Sequence, residues 1–181
     1  MLVVAVLLLS VTVAPDTSRF VALSADRIEL AGQVAAAKWG TGQPIDDPPR
    51  EQEVLASVAE RAERLGLDPA SATAIFRDQI EASKLVQRAL FRHWGADPGS
   101  RPTHRPDLRT EVRPRLDRIT VDMLKAIKAA ERARAHPSCE RKLTWAAFRI
   151  SARRDLDRPY RAGLHRALGS FCGARVQLVS W

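Results

Sequence analysis

The chain has 181 residues, 45% hydrophobic and 28% charged, with a formal net charge of +8. That length and composition fit one globular domain large enough to bury a core. The charge is uneven: residues 1–87 hold 8 Lys and Arg against 12 Asp and Glu, and residues 88–181 hold 21 against 9. A basic half can serve nucleic acid or small anions. No zinc-finger spacing, aromatic ribonucleoprotein motif or long basic run accompanies it, so it reads as solvated helix faces and no nucleic-acid partner is expected.

The chain starts "MLVVAVLLLSVTVAPDTS", with no charge before Pro15. This run is shorter than the ~20 apolar residues a spanning helix needs. It suits the hydrophobic region of a signal peptide, with "TVA" as a small-residue cleavage site. Residues 1–14 are therefore expected to be a signal peptide and 15–181 a single all-helical domain. A buried strand or a membrane anchor is the alternative for the leader.

Beyond the leader the pattern is helical throughout. A first helix is expected from about Ser18 to Trp39, followed by the loop "GTGQPIDD". Asp47 can cap a second helix that has Pro48 at its first position and ends at Gly66. Asp68-Pro69 opens a third helix in the same way, running to about Trp94, and "GADPGSRPTHRP" is a loop. A fourth helix is expected over about 108–135, with Pro114 near its start or at a kink. Ser138 can cap a fifth through about Arg154, and a sixth follows from about Asp157 to Cys172. The fold class is thus all-α, a bundle of about six helices. The two cysteines, Cys139 and Cys172, suggest a disulfide in an exported chain, with two buried free thiols as the alternative. The histidines are scattered, and neither metal-ligand nor phosphate-loop spacing occurs, so no metal is expected.

Polar residues sit where apolar ones belong. At 100° per residue, Phe20, Leu23, Leu30, Ala31 and Val34 fall within about 60° of Arg27, and Lys38 about 20° from it. The two cations are about 16 Å apart along one inward line, suited to the two ends of a small dianion. In the third helix Ser83, Gln79 and Gln87 share the face of Phe76, Ile80 and Val86. In the second, Glu51 falls among Val54, Leu55 and Val58, with Arg50 at the edge. One such group most simply makes a core hydrogen bond. Three helices presenting them together point to a polar cavity, because buried charge costs several kcal/mol unless paired.

The order Arg27, Lys38, Asp47, then "PPRE" with Arg50 and Glu51, then "GLDPASATAIFRDQIEASKLVQ" with Ser83 and Gln87, resembles the all-helical class of chorismate mutases over roughly residues 20–175, in particular its exported subclass. "LRTEVRPRLDRI" is similar to the segment that supplies that subclass with a further arginine. This is placed at Arg113, with Arg109 and Arg115 competing because Pro114 blurs the register. The resemblance implies rearrangement of chorismate to prephenate without cofactor or metal. It implies Arg27 and Arg113 on carboxylates, Ser83 supporting one, Arg50 at the enolpyruvyl side, Lys38 and Gln87 donating to the ether oxygen, and Glu51 accepting from the ring hydroxyl, with Asp47 in the substrate site. It also implies a Cys139–Cys172 disulfide, export to the periplasm or medium, and a possible homodimer. Two departures stand out: Val54 where some exported members have glutamine, and Gln87 where some relatives have glutamate. The alternatives are a pyruvate lyase acting on isochorismate in the same fold, and a non-enzymatic exported helical protein that binds a small dianion.

Overall fold

The computed structural model describes residues 15–173, so the expected signal peptide over 1–14 lies outside the described residues. Seven α-helices occur among the described residues, with no strand: α1 (Pro15–Lys38), α2 (Pro48–Arg64), α3 (Pro69–Ala96), α4 (Arg113–Ala129), α5 (Glu131–Ala135), α6 (Cys139–Arg153) and α7 (Arg158–Ala167). None of these helices is long and apolar enough to cross a membrane.

The helix ends follow from local chemistry. Asp47 accepts from the Arg50 amide at 3.2 Å, and Asp68 from the Ala70 and Ser71 amides at 3.2 and 2.9 Å, each ahead of a proline whose missing N–H would have no partner there. α2 stops in a Schellman turn. Gly66 takes φ +64°, Leu67 N–H reaches the Ala62 carbonyl at 2.9 Å, Gly66 N–H reaches Glu63 at 2.9 Å, and Leu67 is buried.

Helix α1 is the axis of the bundle and packs against α3, α4, α6 and α7. Phe20 stacks on Phe171 with ring centroids 4.1 Å apart, within a core that includes Phe76, Ile75, Met123, Leu124 and Ile127. On the outer side of α1, Arg154 pairs with Asp26 and Glu29 at 2.6 and 3.2 Å. Gly163 of α7 lets three helices meet: a Cβ there would lie 2.6 Å from Val86 and 3.2 Å from Ile28. Cys139 and Cys172 form a disulfide that ties the start of α6 to the turn after α7.

Three details differ from the expectations. The continuous helix over 108–135 is divided. Leu108–Val112 is a π-helical turn, α4 starts at Arg113, and Ala130 ends it before the short α5. Pro114 supplies the reason, since its ring clashes with the carbonyl four residues back and it has no N–H to give. The chain widens just ahead of it: Val112 and Arg113 N–H groups reach back five residues to the Asp107 and Leu108 carbonyls. Ser138 stands at the N-terminus of α6 but does not cap it; its Oγ lies 2.7 Å from His136 Nδ1. The last helix ends at Ala167, and Leu168–Cys172 continues as turns rather than as helix.

Candidate active site

A cavity of about 330 Å³ opens between α1, α2, α3 and the start of α4. Arg27 and Lys38 of α1 line it, one above the other, as their eleven-residue spacing requires. Asp47, Arg50 and Glu51 enter from the start of α2, Ser83 and Gln87 from α3, and Arg113 from the start of α4. All eight predicted site residues therefore face one space. Six cationic side chains and four carboxylates line it, leaving an excess of positive charge.

Arg27 is buried against Phe76, its guanidinium carbon 5.8 Å from the ring centroid, and donates to Thr120 Oγ1 at 3.3 Å. Thr120 is itself fixed by donating to the Leu116 carbonyl at 2.8 Å. Burial lowers the Arg27 pKa to about 10, against the opposing pull of Asp117; Arg50 lowers it further. Lys38 donates to the Pro44 and Ile45 carbonyls at 2.8 and 3.3 Å, so the loop after α1 folds back over its ammonium. Burial pushes its pKa below the ordinary lysine value; Asp47 raises it and Arg113 lowers it. Gln87 Nε2 donates to Ser83 Oγ at 3.1 Å. The buried Arg27 Nε and Gln87 Oε1 have no partner among the described residues, as is also true of Gln79 Oε1.

The N-terminal carboxylates have local partners. Asp47 caps α2, and Glu51 Oε1 accepts from the Asp47 amide at 3.4 Å. Arg50 pairs with Glu53 at 2.9 Å. After the π-helical turn the three arginines take different places. Arg113 lines the cavity, Arg109 lines only a neighbouring cleft, and Arg115 leaves the site to donate to Gln33 at 2.9 Å. Val54 supplies an apolar wall.

Several lining residues were not foreseen. Gln79, expected on the same face as Ser83, serves the core instead, donating to Ser24 Oγ and the Ala167 carbonyl at 3.2 and 2.9 Å. Lys84, Arg61, Asp117 and Thr120 line the cavity. Lys84 lies about 100° round α3 from Ser83 and so fell outside the stripe that flagged its neighbours. Burial disfavours its charge, but the hydrogen bonds it donates to Glu81 and Glu51 more than offset this and raise its pKa. Thr120 and Asp117 carry no motif of their own. Only their four- and seven-residue spacings from Arg113 put them on its face.

The family model described as "Chorismate mutase type II" matches residues 18–88, covering α2 and most of α1 and α3. A secreted chorismate mutase of Mycolicibacterium smegmatis is 36% identical over 162 residues, covering 88% of this chain and 89% of that protein. One of Mycobacterium tuberculosis is 35% identical, covering 83% and 75%. A chorismate mutase crystal structure from Burkholderia thailandensis superposes with a TM-score of 0.84 at 38% identity, covering 88% of this chain and all of that one. With sequence and fold agreeing over most of both chains, this protein belongs to the type II chorismate mutase family.

Proposed function

We propose that the chain is an exported enzyme that rearranges chorismate to prephenate in the α1–α4 cavity. The observation that carries this is the convergence of Arg27, Lys38, Arg50 and Arg113 with Ser83 and Gln87 on one space with a positive excess. The substrate carries two carboxylates and an ether oxygen. The reaction breaks one C–O bond and forms one C–C bond within the molecule, with no proton transferred. A catalyst therefore has to hold the folded conformer and stabilise charge growing on the ether oxygen.

The cavity's groups suit those tasks. Arg27 and Arg113 bind the carboxylates, arginine offering a fork of donors that matches them; Ser83 supports one of them. Arg50 acts at the enolpyruvyl side. Lys38 has three N–H donors. Two are held by Pro44 and Ile45, which leaves the third for the ether oxygen. Gln87 has one N–H on Ser83 and a second for the same oxygen. Glu51 accepts from the ring hydroxyl, and Asp47 sets the local charge around Lys38.

The relatives named secreted support export of this chain. Cleavage after residue 14, release to the periplasm or medium, and assembly as a homodimer belong to the same reading. The test is turnover by the purified protein. Loss of chorismate with stoichiometric prephenate is expected. Salicylate with pyruvate from isochorismate, and no prephenate, would transfer the chain to lyase chemistry. Binding without turnover of either would leave only an anion-binding protein.

A further inference from the structure

Lys84 is the buried cation of the cavity wall that the mechanism above does not use. Its ammonium lies 2.6 Å from Glu81 Oε1, 3.1 and 3.2 Å from the two Glu51 oxygens, and 3.4 Å from Asp46 Oδ1. An ammonium has three donors, and three carboxylates lie within 3.4 Å of this one, so its charge is matched by the chain itself. What it contacts is informative. Glu81 shares its helix, but Glu51 belongs to the start of α2 and Asp46 to the loop between α1 and α2. That loop carries the Pro44 and Ile45 carbonyls that receive Lys38. Arg88, one turn further along α3, holds Asp46 a second time, at 2.7 and 2.8 Å.

We propose that Lys84 is a positioning residue for the rearrangement. It holds the Glu51 carboxylate towards the cavity and, through Asp46, holds the loop whose carbonyls aim Lys38. The proposal rests on the functional reading above. Without the Lys84 charge, Glu51 and Glu81 become neighbouring carboxylates with no cation between them. Like charges separate, and Glu51, in the first turn of α2, is drawn away from its place. Asp46 keeps Arg88, but Arg88 is an exposed cation that a shift of the loop can follow. Lys38, held by that loop, then loses its aim without itself being altered.

The test uses the full chain with Lys84→Met, which keeps the length and removes the charge, and Lys84→Arg, which restores it. Lys84→Met is expected to lower kcat/KM by about tenfold or more, with kcat falling as well as KM rising, and Lys84→Arg to recover most of the loss. In a Glu51→Gln background the same Lys84→Met change is expected to cost less than about threefold, since residues acting through one another are not additive. Amide exchange over 41–51 is expected to quicken in Lys84→Met while α6 and α7 stay as they are. Unchanged exchange over 41–51 overturns the proposal whatever the rates, as do faster exchange with unaltered kcat/KM and full additivity with Glu51→Gln. If Lys84→Met does not fold, the exposed Asp46→Asn substitution decides: it is expected to quicken exchange over 41–47 and lower kcat, and no effect on either overturns the loop arm. A wild-type protein that does not turn over chorismate would defeat the functional reading, and the exchange result would still decide whether Lys84 places Glu51.

Discussion

Lys38 commits two of its donors to the chain itself, which makes it a rigid donor rather than a mobile surface lysine. Lys38→Ala should therefore cost about 3–4 kcal/mol of transition-state stabilisation, the usual effect of removing one preorganised donor, with circular dichroism unchanged. Arg113→Ala should be comparably severe. Arg115→Ala should be mild, because Arg115 bonds Gln33 at the surface. Near-normal turnover by Lys38→Ala, or reversed effects at 113 and 115, would dismantle the site. The pH profile follows from the same groups. In the proposed mechanism Lys38 serves as the protonated donor, and burial sets its pKa below the ordinary lysine value. Turnover efficiency should thus be flat across neutrality and fall on the alkaline side as Lys38 deprotonates, with Arg27, at about 10, adding to the fall. Gln87 contributes no acid limb, because an amide donates at every pH. Gln87→Glu should create one. A glutamate donates only when protonated, and an unperturbed one is ionised above about pH 4.3, so the variant should work best in acid and fade as pH rises. Parallel profiles for the two proteins would remove Gln87 from the chemistry.

At the scale of the element, what the sequence discloses depends on how local the cause is. The starts of α2 and α3 are legible because Asp-Pro carries its own cap and its own proline, and the end of α2 because only glycine sits easily at φ +64°. The inward cations of α1 are legible because a 3.6-residue period places them on an apolar stripe. The π-helical turn before α4 is not legible in the same way. A proline announces a disturbance, but whether the chain kinks, breaks or widens depends on what Leu108 and Val112 pack against. Ser138 shows the limit of a cap signal: its hydroxyl finds the His136 ring before it finds the helix. Lys84 and Thr120 depend on neighbours far along the chain. The disulfide can be tested at this scale. It closes a sequence separation of 33 residues, which stabilises by roughly 3–4 kcal/mol in the chain-entropy model. Neither cysteine lines the cavity. Cys139→Ser with Cys172→Ser should lower the unfolding midpoint measurably while leaving kcat/KM near that of the wild type at temperatures where the variant is folded. A large loss of kcat/KM in folded protein would mean that α6 supports the site in a way its contacts do not suggest.

At the scale of the molecule, the decisive fact is that the proposed site residues of a single chain all line one space. Arg27 and Lys38 come from α1, Arg50 and Glu51 from α2, Ser83 and Gln87 from α3, and Arg113 and Thr120 from α4, all around one space. A homodimer of this chain would raise the question whether such a space is shared between copies. The answer is open to a mixing experiment. Lys38→Ala and Arg113→Ala each lack one group of the proposed site. If sites were shared between chains, unfolding and refolding the two variants together would give mixed dimers in which one site has both lesions and the other has neither, and a fraction of the activity would return. If each site belongs to one chain, every chain keeps its own lesion in every assembly. No activity above the sum of the two variants is therefore expected after co-refolding, and wild-type activity per chain should stay constant on dilution through any dimer dissociation followed by sedimentation. Recovery of activity in the mixture would show that Arg113 or Lys38 serves a neighbour's cavity, and would require the arrangement of α1 and α4 in the assembled protein to differ from that within the single chain.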